Sequence, residues 1–382
     1  MNTAKKAERK KRLPAPRTVI TVLGSLFFIL LLLKNPDISV KYVTRGLTLC
    51  TTAVIPTLFP FMVLSELLVR TGGGELMGRV LAAPMRCIFG LSGAGSCAFL
   101  LGSVCGFPVG TRTAVMLYDR GLMSREETER LISFCNYPSS AFMISAVGAA
   151  LWQNRKLGIA MYAAVLAAGM LCGIVIGIPA RLSAVRTPKC IAPKYISRKP
   201  DPTALSDSVT AAALSTLNVC AYVAFFSCVV GCISCIIARM SPTRMAQAAI
   251  YSFFELTSGA AASSAVTPTR TGILLCTAAA GWSGLSVALQ VFSVCSASAR
   301  PRPRITLYLI SKAVQALVAA LIMQCLIGCF PSLEDTASPT GSIIPAAGTA
   351  SALGTVSVAL FAASLALAAA QTIRIRSKKA QS

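Results

Sequence analysis

The sequence predicts an all-α, polytopic helical membrane protein made of two repeats, each containing broken or re-entrant helices. Three observations predict it. First, 55% of the 382 residues are hydrophobic and 13% charged, and the mean hydropathy is +0.69. That balance belongs to membrane chains rather than soluble domains. Second, the net charge of +23 is gathered into clusters beside apolar stretches. Third, two apolar stretches are interrupted by glycine and proline where an ordinary span would run on.

The charge clusters set the expected topology. Lys5, Lys6, Arg9, Lys10, Lys11, Arg12 and Arg17 crowd residues 1–17. Arg181, Arg186, Lys189, Lys194, Arg198 and Lys199 crowd a polar linker at 180–206. Arg300, Arg302 and Arg304 sit in a short connector, and Arg374, Arg376, Lys378 and Lys379 close the chain. Under the positive-inside rule these segments, both termini included, are expected in the cytoplasm. Their expected partners are the lipid bilayer and its anionic headgroups, not nucleic acid. Residues 331–350 carry Glu334 and Asp335 and no basic residue, as an external loop would.

Histidine is absent, which removes histidine catalysis and histidine metal sites. The fifteen cysteines lie mostly in apolar runs. Cys232 and Cys235 form a C-x-x-C, and Cys325 and Cys329 a C-x-x-x-C, without a second pair at zinc-site spacing. They read as small buried hydrophobes, and neither a metal nor a cofactor is expected. There is no phosphate-binding G-x-x-x-x-G-K-[ST] and no G-x-S-x-G nucleophile elbow, so the chain is not expected to be an enzyme.

In order, residues 1–17 are a basic tail and 18–33 the first span, retained for want of a clean cleavage site. Residues 34–45 read as a polar connector, and 46–69 as a second span holding Pro56 and Pro60. Neighbouring helices can re-satisfy the carbonyls such prolines free. Gly72, Gly73 and Gly74 end it, and 75–89 reads as an interfacial amphipathic helix with Arg79 and Arg86 on its polar side. Residues 92–104 are too short to cross a ~30 Å hydrocarbon core. They end at Gly106-Phe107-Pro108-Val109-Gly110, and a second helical stretch reaches Tyr118-Asp119-Arg120. Short helix, break, short helix is a re-entrant hairpin; the alternative is one proline-kinked span.

Ser124 and Glu127 form a capping box for the next helix, with Arg125, Glu126, Glu129 and Arg130 in a solvated first turn. It breaks at 136–140 and resumes over 141–152; 157–179 is a full span. The first membrane repeat is thus 18–179, and the second, 207–330, comes after the linker. In it 207–240 is one tilted span or more, and 244–256 is helical. Residues 257–271 are small and polar, and 272–280 is a short helix. That helix ends at Gly281-Trp282-Ser283-Gly284 and resumes over 285–297. Residues 305–330 and 351–370 are full spans, the last lying in a closing unit, 351–382, that ends in the basic tail.

Interrupted segments in corresponding positions of two halves point to a transporter's binding site. Half-helix ends inside a membrane expose N–H groups or carbonyls that suit a polar solute. The candidate solute-binding residues of the first half are Ser92, Gly93, Gly106, Pro108, Gly110, Thr111, Asn136, Ser139 and Ser140. Those of the second are Glu255, Ser258, Gly281, Ser283, Ser286 and Gln290. Thr111 and Ser286 stand where N-cap hydroxyls would. Glu255 is either a site acid or an interfacial acid paired with Arg244 or Arg270. Cys105 offers a native probe of the first break.

The runs LFPFMVLSELL (58–68), CGFPVGTRTA (105–114) and SREETERLISFCN (124–136) resemble the YlbJ family of sporulation integral membrane proteins. The likeness continues more weakly through Asp207-Ser208 and GWSGLSVALQV (281–291). That family is grouped with nucleoside-recognition, or gate-domain, membrane proteins. One departure is Tyr137-Pro138 after the phenylalanine, where the family carries a Thr-Asn-like stretch. The resemblance implies gate-like repeats and an inner-membrane protein tied to cortex or envelope formation. Function is then expected to be permease-like, with a small polar solute between the two hairpins. The alternative is a membrane scaffold for sporulation partners, and a homo-oligomer is compatible with either.

Overall fold

A computed structural model describes residues 16–184, 202–240, 242–297 and 304–340. Residues 1–15, the middle of the expected linker (185–201), the C-terminal basic tail and the last expected span, 351–370, lie outside the described residues, while the edges of the expected linker, 180–184 and 204–206, are helical. Every regular element among those described is a helix. Four helical stretches are long and apolar enough to cross a bilayer unaided, or up to six if each bent pair is one span.

The first half opens with α1 (Pro16–Lys34) and α2 (Pro36–Leu49), which meet at 101°. The expected connector at 34–45 is therefore helical. Pro36 stands in the first turn, where its missing N–H costs nothing. A π-helical segment, Cys50–Val54, joins α2 to α3 (Ile55–Arg70). Pro60 lies inside α3, and Pro56 is absorbed by its first turn. The chain turns at Gly72 into α4 (Gly73–Val80) and the single turn α5 (Ala82–Pro84), then a π-helical segment, Met85–Phe89. The interfacial helix expected over 75–89 is thus divided at Leu81, ahead of Pro84. Leu76 and Val80 are exposed, as an interfacial apolar side requires.

The hairpin comes next as α6 (Gly95–Cys105) and α7 (Val109–Asp119). Beyond it lie α8 (Arg125–Ile132), an irregular stretch, a π-helical segment Phe142–Leu151, and α9 (Arg155–Ala184). The capping box is present: Ser124 Oγ accepts from Glu127 N, and Glu127 accepts from Ser124 N. That turn is not uniformly solvated. Glu129 is buried against Arg125 at 2.8 Å, and Arg130 donates to Gly90 O at 3.0 Å.

The second half is α10 (Ala204–Met240), α11 (Arg244–Phe254), α12 (Leu256–Ser263), α13 (Thr269–Trp282), α14 (Gly284–Ala297), α15 (Ile305–Cys329) and the turn α16 (Ser332–Asp335). Residues 207–240 belong to one unbroken helix. The polar stretch at 257–271 contains α12, because Glu255 caps its N–H groups and small residues let it fold back. Gly259 lies so close to Ser252 that a Cβ would clash.

The packing partners show how the halves are related. α2 and α3 run against α10 in descending register: Tyr42 lies on Gly231, Cys50 on Cys220, Met62 on Thr216 and Arg70 on Asp207. Hairpin α6–α7 starts at the Arg70–Asp207 end and returns to it, since Arg112 reaches Glu66 and Arg120 reaches Val69 O. Hairpin α11–α12 starts at the opposite end and returns there, since Arg244 reaches Ala265 O. α8 and Phe142–Leu151 cross between the ends, antiparallel to α9. α13 and α14 cross in the reverse direction, antiparallel to α15, with Arg270 on Gln324 and Phe292 on Tyr308. The order long helix, hairpin, broken span, full span therefore occurs twice, in opposite senses.

The exposed surface is apolar, with Leu23, Phe27 and Leu30 of α1 and Leu317 and Leu321 of α15 pointing outward. Inside, small residues let backbones touch. Gly148 and Gly158 approach until a Cβ on either would sit 2.6–2.7 Å from the other's Cα. That is how helices associate where lipid is as apolar as leucine.

Candidate functional site

The crossing spans break at 133–141 and at Ser283, and both breaks lie at mid-depth, each locked to the tip of its own hairpin. Gly281–Gly284 is therefore the counterpart of 133–141, not of the hairpin tip Gly106–Gly110 as the sequence suggests. The second hairpin tip is Glu255, between α11 and α12. In the first half, Phe107 N donates to Tyr137 O at 2.8 Å, and Tyr137 packs on Gly169, midway along α9. In the second, Trp282 Nε1 donates to Phe253 O at 3.1 Å. A Cβ on Gly284 would stand 3.1 Å from Glu255 Cα. Gly106 is required at the first tip: its φ is +85°, and a Cβ would come within 2.5 Å of Ser139 N.

Between the two tips lies a cavity of about 300 Å³. Phe107, Pro138 and Ser139 face it from the first half, and Glu255, Thr257, Ser286 and Gln290 from the second. Glu255 is 3% exposed. Its carboxylate accepts from Thr257 N at 2.8 Å, Ser258 N at 2.7 Å and the Thr257 hydroxyl. It therefore caps α12, where the helix dipole favours a negative charge. Arg244 and Arg270 bond elsewhere, to Ala265 O and Gln324, so the interfacial pair does not form. Gln290 donates to Ser286 Oγ at 3.4 Å, while its Oε1 is buried without a hydrogen-bond partner. Thr52 and Thr57 also line the cavity, and their hydroxyls donate to Thr48 O and Val54 O.

Ser139, Glu255, Ser286 and Gln290 are thus brought together, and the other candidates are not. Thr111 and Ser286 are each the third residue of their helices, inside the first turn and past the cap position. Thr111 instead donates to Asn136 Oδ1 at 2.7 Å, both fully buried behind the first break. Gly106, Pro108 and Gly110 form the hairpin tip, but the glycines face protein: Gly110 sits against the Cys135 carbonyl. Ser140 donates to Val104 O. Ser92 and Gly93 lie at the far end of α6, where Ser92 N meets Glu127 at 2.7 Å and Gly93 packs on Gly78. Ser258 lends only its N–H to Glu255. Gly281 packs on Ala316, and Ser283 turns the chain at φ +71°. Cys105 is in the core, 2% exposed, and is not a wall of the cavity.

Thr52, Thr57, Phe107, Ser145 and Thr257 line the cavity although the sequence pattern does not single them out as solute contacts. Thr57, one residue past Pro56, carries a signal, since a proline in a span often marks a functional break. Ser145 carries none. Lys312, an ammonium inside an apolar 25-residue helix, is conspicuous on charge alone.

Over 147 residues the chain is 35% identical to the "Sporulation integral membrane protein YlbJ" of Bacillus subtilis (strain 168). The match takes in 38% of this chain and spans 36% of the relative's length. No protein-family model and no solved structure matches. The chain is thus a helical, multi-pass membrane protein that is similar, over part of its length, to a sporulation membrane protein.

Proposed function

We propose that the chain is a permease-like, non-enzymatic carrier acting in sporulation, with a small polar solute bound in the mid-depth cavity. The observation that carries this is the convergence of Ser139, Glu255, Ser286 and the partnerless Gln290 Oε1 from two oppositely oriented broken halves. Repeats of opposite sense with half-helices meeting at the midplane are the architecture of alternating access. Rocking one hairpin and its broken span against the other would open the cavity to either side in turn. The sporulation role is supported by the partial similarity to YlbJ, and the gate-domain likeness by the sequence resemblance alone. In this reading the Arg70–Asp207 end, from which the basic linker emerges, faces the cytoplasm and the anionic lipid of the inner membrane, and the excess of Lys and Arg in that linker supports it.

The test is identification by mass spectrometry of solute retained after gentle purification, followed by its uptake into proteoliposomes. Glu255→Gln and Gln290→Leu should each reduce uptake at least about tenfold, the loss of one buried charged or amide contact. Uptake indifferent to both substitutions would refute the reading.

A further inference from the structure

Lys312 stands on α15 eight residues into the helix, about 10 Å along the axis. Its side chain is 1% exposed, so it does not reach for a membrane surface. No carboxylate lies within ion-pairing distance of it among the described residues. Instead Nζ donates to Asn136 O at 2.7 Å and to Gln315 Oε1 at 3.3 Å. Its neighbours serve the same break: Ser311 Oγ and Gln315 Nε2 donate to Ser133 O at 2.8 and 3.0 Å. Ser133 is the C-cap of α8. A cluster on one full span thus gathers the carbonyls that the broken span releases.

That end of α8 carries the negative pole of the helix, about half an elementary charge. Free carbonyls at such a half-helix end, inside a membrane, are where carriers coordinate sodium or a proton. A neutral donor would satisfy one carbonyl, whereas an ammonium also balances the pole. We propose that the Lys312 ammonium is a tethered cation that fills the monovalent-cation position where the first crossing span breaks, beyond the C-terminus of α8. The break then takes up no exchangeable ion while the lysine is present, and acquires an alkali-cation site when it is removed.

The test needs no knowledge of the solute. The full chain, purified in detergent, is unfolded thermally in sodium, potassium or choline chloride at equal ionic strength, with tryptophan emission as readout. In choline, Lys312→Ala should lower the midpoint by roughly 5 °C, the effect of one or two unsatisfied buried carbonyls. Sodium or potassium should restore most of that loss, while moving the unsubstituted protein far less. Should Lys312→Ala fail to fold, Lys312→Gln, which keeps a donor and drops the charge, should show the same cation-dependent recovery. Variants that respond to alkali cations no more than the unsubstituted protein would overturn the proposal. So would a Lys312→Gln protein as stable in choline as the parent, because the charge would then be dispensable.

Discussion

Glu66 should be the pin that holds the first hairpin to the rest of the protein. It is 4% exposed and lies on α3. Its two carboxylate oxygens accept from Arg70 Nε at 3.0 Å and Arg112 Nε at 2.9 Å. Arg70 also approaches Asp207 at 3.7 Å, so α3, α7 and α10 share one network. A hydrogen bond to a charged group contributes about 1.5–3 kcal/mol. The arginine side chains are 29% and 26% exposed, so they turn partly to water when freed, and the lower end applies. Glu66→Gln keeps the packing and one neutral contact, and should cost about 2 kcal/mol of unfolding free energy. Arg112→Gln should cost about 1 kcal/mol, because Arg70 still neutralises the acid. The double variant should cost less than the sum, by about 1 kcal/mol of coupling. Arg304→Gln is the control: it is 79% exposed and 3.7 Å from Glu129, so the change should stay within about 0.5 kcal/mol. The assay is denaturation by titrating sodium dodecyl sulfate into mixed micelles. Strictly additive Glu66 and Arg112 effects would refute the shared network.

Five further outcomes are expected. Reporter fusions after Tyr195 and at Ser382 should both give the cytoplasmic signal, and opposite signals would break the topology. Glu255→Gln should impair sporulation more than Glu334→Gln, since one acid faces the cavity and the other lies on the short turn α16; equal effects in a spore-yield assay would remove Glu255 from the site. Gly106→Leu and Gly110→Leu should lower folded yield, because their new side chains meet backbone rather than solvent. Gly328→Ala, with nothing within 4 Å, should instead stabilise α15 by roughly 0.5–1 kcal/mol. A cysteine at Ser145, in a background without Cys87, Cys325 and Cys329, the exposed cysteines among the described residues, and without Cys190 of the linker, should react with a water-soluble maleimide, and an inert thiol there would mean the cavity is closed to water.

The helical membrane class and the positions of the breaks are legible in the sequence because both are local. Apolar length, glycine and proline act on their own stretch of chain, and Gly106–Gly110 and Gly281–Gly284 break their helices wherever these pack. The Ser124 capping box is equally local, closing within four residues. The connector at 34–45 reads as a loop because its residues are polar, yet it is helical: Ser39, Tyr42 and Gly46 form a side that fits α10 only once α10 is present.

What the tertiary structure alone decided is which polar groups face the same space. Thr111 and Ser286 look alike in sequence, each a hydroxyl just past a break, yet one is spent on Asn136 and the other borders the cavity. Glu255 reads equally well as an interfacial acid until α11 and α12 fold back and carry it to mid-depth. Lys312 is only a charge in an apolar run until Asn136, some 176 residues away, presents its carbonyl. Local propensity determines where a membrane helix stops; what satisfies the groups it leaves open depends on neighbours that only packing supplies.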